Sequence, residues 1–113
     1  MDQKTLLIKM HEHIDFREKD VIEQKIDICD MTLINLRDCL IGLGTILDED
    51  YDLKSYVIKV SAGLANCNTA IVAIQLFENT LWLLGYAKEG LINQHTAEKA
   101  MDKVKKRVFQ YIK

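Results

Sequence analysis

The chain has no proline, only five glycines, three cysteines and a single tryptophan in 113 residues. So little turn punctuation argues against a sandwich or barrel of many short strands, and an all-β fold is not expected. Cys29, Cys39 and Cys67 are odd in number, form no CxxC pair and sit in apolar runs. That excludes a disulfide framework or a zinc ribbon and points to reduced thiols in an intracellular, cytoplasmic protein. Fifteen Lys and Arg against seventeen Asp and Glu leave a net charge of -2. This is not the basic excess of a nucleic-acid binder or a polybasic membrane anchor. The N-terminal stretch MDQKTLLIKMHEH has an apolar patch too short for a signal-peptide core, so cleaved export is not expected. P-loop, nucleophile-elbow, HExxH and GxGxxG patterns are missing, and covalent catalysis has no visible machinery.

What is present is the balance of an ordinary globular domain, 49% hydrophobic and 28% charged, read as one domain over residues 1–113. Charge is unevenly spread. Residues 1–50 hold 6 basic and 12 acidic side chains, and residues 51–113 hold 9 and 5.

Apolar spacing suggests helices throughout. Leu6, Leu7 and Met10 mark a short helix over 3–13. Asp15 and Glu18 resemble a capping box opening a second helix, whose stripe runs through Ile22, Ile26, Cys29, Leu33, Leu36, Leu40, Leu43 and Leu47. The acidic cluster at 48–52 makes a turn, and a third helix over 53–88 carries a small-residue row, Ser61, Ala65, Thr69 and Ala73, to meet Gly42 and Gly44. Gly90 serves as a C-cap with Leu91 and Ile92 as apolar closure, and a fourth helix runs from Asn93 or Thr96 to Ile112. The expected fold is all-α, a three- to four-helix antiparallel bundle built on a long helical hairpin. Its third helix, apolar on most sides, would bury the surplus in a homo-oligomer, dimer or larger. Asn68, Gln75 and Glu78 interrupt the apolar stretch too often for a membrane span.

Four sets of residues bear on function. Asp20, Glu23, Asp27 and Asp30 would share one face of the second helix, and Lys99, Lys103, Lys106 and Arg107 form a basic row on the last. Together they suggest a non-enzymatic protein that binds a macromolecular partner through oppositely charged faces, as an adaptor, inhibitor or immunity-type accessory protein would. Low arginine relative to lysine fits a bacterial or phage source. Asn68, Gln75, Asn79, Trp82 and Tyr86 offer a second reading, a nucleotide-like ligand held between helices of an oligomer. The acidic row alone allows a third, a Mg²⁺-dependent all-α nucleotide pyrophosphohydrolase, although only half of its paired carboxylate motif is present. His11 and His13 point apart on a helix and would share a face only if extended, so no metal and no cofactor is expected.

Overall fold

The computed structural model describes residues 3–89 and 93–112. It is a mixed α/β protein and not a helical bundle. The elements are α1 (Gln3–His11), a 3-10 turn (Glu18–Asp20), β1 (Ile22–Asp27), α2 (Leu33–Leu40), β2 (Thr45–Asp50), β3 (Ser55–Ala62), a second 3-10 turn (Leu64–Asn66), β4 (Asn68–Phe77), β5 (Thr80–Tyr86) and α3 (Thr96–Tyr111). The strands form one antiparallel sheet in the order β1-β5-β4-β3-β2. Strands β2 to β5 form a meander, and β1 closes the far edge beside β5.

The expected second helix is therefore a 3-10 turn, β1, α2 and the start of β2, and the expected third helix is β3, β4 and β5 with a 3-10 turn between the first two. Both faces of the middle strands are covered, which is why they read as unbroken apolar runs rather than alternating ones. Val57, Ile71, Ala73 and Leu84 pack under Leu6, Leu7 and Met10 of α1. Tyr56, Ile58, Val60, Val72, Ile74, Leu81 and Leu83 pack under α2 and α3 on the opposite face. Between Val60 and Ala87 the strand interiors are buried while the turns at 65–67 and 77–79 are exposed, and the segment is extended rather than a buried helix. The surplus apolar surface from which self-association was inferred is covered by helices of the same chain. Ser61, Thr69 and Ala73 lie on strands and Ala65 in the second 3-10 turn, so these residues form no small-residue helix row.

Turns are built without proline. Asp30, Lys54, Ala65, Asn66, Glu78 and His95 take left-handed φ values between 53° and 57°. Glu78 and Asn79 join Phe77 and Thr80 in a two-residue hairpin loop. Gly44 is needed for a different reason. A Cβ there would stand 2.2 Å from the Lys59 carbonyl oxygen, so only glycine lets the chain enter β2 against β3.

The first and last helices agree with their sequence patterns. Thr96–Tyr111 buries Ala97, Ala100, Met101, Val104 and Val108, whereas Tyr111 remains 46% exposed. Met101 lies over Gly85, where a Cβ would be 2.5 Å from its sulfur. The capping box falls at α2 and not at Asp15: Asn35 N–H donates to Thr32 Oγ1 at 3.1 Å and Thr32 N–H to Asn35 Oδ1 at 3.2 Å. The C-cap expected at Gly90, with Leu91 and Ile92, lies outside the described residues.

Candidate functional site

Helix α3 is amphipathic, and with its apolar stripe buried against the sheet its other faces carry charge. Four of the five residues from 103 to 107 are cationic. Lys103 Nζ donates to the Ser61 carbonyl at 2.8 Å and to Asn66 Oδ1 at 2.6 Å. It thereby ties the helix to the β3–β4 connection, where Gly63, Ala65 and Asn66 all have positive φ. Lys105 pairs with Asp102 at 3.2 Å. Arg107 lies beside the turn after α2, its Nη2 3.5 Å from where a Gly42 Cβ would be. Lys99 and Lys106 are exposed, and like Arg107 they make no ion pair among the described residues. The basic row expected from sequence is thus a continuous helical surface, with Lys103 spent on the scaffold and the other cations available.

The acidic row does not survive. Glu23 and Asp27 lie on strand β1 with Lys25 between them on the same face, Asp20 is in the preceding 3-10 turn, and Asp30 is in a left-handed turn residue. Asp20 accepts from Arg17 Nε at 2.9 Å. A period of two replaces the helical period, so the four carboxylates share no face and do not confront the lysines of α3. The Mg²⁺ pyrophosphohydrolase reading fails with the helix that was to carry it.

The five proposed ligand-binding residues are also dispersed. Asn68 turns toward α3, where its amide donates to Thr96 Oγ1 at 3.0 Å and to the Lys88 carbonyl at 3.1 Å. Gln75 is fully buried and donates to the Leu53 carbonyl at 3.0 Å. Asn79 is in the hairpin loop, its carbonyl accepting from Ile28 N–H. Trp82 lies under the Lys25 ammonium, 4.2 Å from its ring centroid. Tyr86 packs at a tilt on Phe16, with ring centroids 5.5 Å apart. No common pocket joins them.

Glu89 was overlooked. Desolvation pushes its carboxyl up, but hydrogen bonds from Thr96, Gln94 and Asn68 outweigh that and hold it below the usual carboxylate range. It accepts from the first-turn amide of α3, supplying the cap that neither Asn93 nor Thr96 provides. Beside it, Asp20, Tyr86, His95 and Glu98 border a cleft of about 440 Å³, with His95 Nδ1 2.8 Å from Glu98 Oε2.

Among the described residues, one group has the spacing to accept a metal ion. Glu12, His13 and Asp48 place a ligand atom each within 4.8 Å of one another. The bulge in β2 between Ile46 and Asp48 puts Asp48 and Asp50 on the face that α1 covers. There, Lys9 Nζ lies 3.5 Å from Asp48 Oδ2 and 2.9 Å from Asp50 Oδ2. That ammonium already compensates the carboxylate a cation would need. His11 is not part of the group, because it stacks on Phe16 at 3.9 Å between centroids.

No known protein family, curated protein sequence or solved structure matches the chain. The three cysteines are unpaired, Cys29 and Cys67 exposed and Cys39 buried. No described helix is long and apolar enough to cross a membrane.

Proposed function

We propose that this is a non-enzymatic cytoplasmic binding protein that docks an acidic protein partner on the outer face of α3, in the manner of an adaptor or inhibitor. One observation carries the reading: Lys99, Lys106 and Arg107 are displayed on a rigid helix without ion-pair partners among the described residues. Lys103, anchored to Ser61 and Asn66, fixes the helix relative to the neighbouring loop. A preformed, mainly cationic surface, bordered by Asp102 and Glu98, speeds the encounter and selects against cationic partners, and its effect fades as salt screens it. Exposed Ile34 on α2 and Ile41 just past its end supply further apolar surface.

The test compares proteins captured from native lysate by the wild type and by Lys99→Glu/Lys106→Glu/Arg107→Glu, with nuclease added to both. Acidic proteins retained by the wild type and lost from the variant support the reading. Identical capture by the two overturns it, and capture that nuclease abolishes assigns the face to nucleic acid instead.

A further inference from the structure

We propose that the chain dimerises by pairing β1 with β1 of a second copy, antiparallel and in a single register centred on Gln24, to give a continuous ten-stranded sheet. The backbone comes first. Ile28 N–H donates to the Asn79 carbonyl of the β4–β5 turn at 2.8 Å, and the pairing of Ile26 with Leu81 and Gln24 with Leu83 continues in phase. Even-numbered residues of β1 therefore turn their amide and carbonyl groups toward β5. Those of Glu23, Lys25 and Asp27 point away from the sheet, with no backbone partner among the described residues, on an edge with no bulge and no proline.

Side chains then select the register. Continuing the sheet through a two-fold axis requires paired residues to point to the same face, so only even sums of residue numbers are allowed. Centring on Lys25 sets Lys25 against Lys25 and Glu23 against Asp27; centring on Glu23 sets two glutamates together. Centring on Ile26 pairs Lys25 with Asp27 but sets Gln24 opposite the apolar, already buried Ile28 and gives the Gln24 amide no partner. Centring on Gln24 pairs Glu23 with Lys25 of the other copy, twice, on one face. On the other it pairs Ile22 with Ile26, also twice, extending the half-buried apolar row that packs under α2 and α3. Gln24 meets its own counterpart on the axis. Its Oε1 is shielded from solvent and has no hydrogen-bond donor among the described residues, and the counterpart's Nε2 supplies one.

The opposite edge is closed to this. β2 has a bulge between Ile46 and Asp48, and any antiparallel self-pairing over its second half sets Asp48, Glu49 and Asp50 against one another. Pairing through β1 alone closes after two copies. It also puts both α3 helices on the same side of the joined sheet.

Light scattering after size exclusion, over a range of protein concentrations, gives the mass. The wild type is a dimer. Glu23→Lys and Lys25→Glu each raise the dissociation constant about tenfold or more, because two attractive pairs per dimer become repulsive. The double variant Glu23→Lys/Lys25→Glu restores dimerisation, since the swapped charges are again opposite. Non-hydrogen-bonded antiparallel partners have Cα atoms about 4.5 Å apart, within disulfide range. Gln24→Cys in a Cys29→Ser/Cys67→Ser background therefore cross-links on oxidation, and Lys25→Cys in that background does not. A monomer at all concentrations, larger open oligomers, a dimer indifferent to the single reversals, or failure of the double variant to recover would each overturn the proposal.

Discussion

The Tyr56 hydroxyl, from the start of β3 beside the edge strand β2, donates to the Leu33 carbonyl in the first turn of α2 at 2.9 Å. Tyr56 is fully buried, and this bond fixes where the short helix α2 lies on β3. Arg37 Nε adds a second link, to Glu49 Oε1 on the edge strand at 2.6 Å.

Tyr56→Phe leaves the Leu33 carbonyl without this donor and is expected to cost about 1–2 kcal/mol in urea unfolding. Burial pushes the Tyr56 hydroxyl up to about 12 from 10.0. Its contribution is therefore complete below pH 10 and lost as pH rises toward 12, a loss the phenylalanine variant should not share.

Gly44→Ala directs a methyl group into the backbone of β3 at Lys59, which cannot yield as a side-chain end would. A loss of about 1–3 kcal/mol is expected, with earlier amide exchange in β2 than elsewhere. Unchanged stability would show that the close approach is not maintained in solution.

Glu89→Ala removes the acceptor for the Thr96 and Gln94 amides at the start of α3. The expected cost is about 1–2 kcal/mol, as for loss of a helix cap. Because the Glu89 carboxyl titrates below its usual 4.5, its stabilisation is present above that pH and disappears as pH falls through the lowered value. A stability profile below pH 5 that is steeper for the wild type than for the variant checks this.

Lys9 holds α1 to β2 through Asp50, whose carboxyl is lowered first by the Leu53 amide and then by the Lys9 ammonium. The Lys9 ammonium is raised chiefly by its hydrogen bond to Asp50. The pair's contribution thus holds between about pH 4 and pH 10 and declines as pH falls below or rises above that window. Lys9→Met should flatten the acid limb of the thermal-stability profile; an unaltered limb would contradict the link.

Reading the amino-acid pattern alone captured α1 and α3 because each buries one stripe, and a helix with a single covered face shows its period locally. The lysine row on α3 was legible for the same reason. β1 failed at Ile22 and Ile26, four apart and in phase with both a helix and a strand. The alternation of Glu23 and Lys25 with Gln24 was the signal for a strand, and it also moved the acidic residues off a common face. Between Ser55 and Tyr86 the turn residues Asn66, Glu78 and Asn79 marked the strand ends, but with both faces covered no alternation remained to separate strand from buried helix.

Composition and local periodicity determined an apolar core, the first and last helices and a cationic row on the last of them. Only the tertiary structure decided that the apolar middle is a sheet. A strand is stabilised by partners distant in the chain, as Ile74 is by Tyr56 and Leu83. Such pairing leaves no imprint within a window of neighbouring residues, whereas a helix closes its hydrogen bonds four residues away.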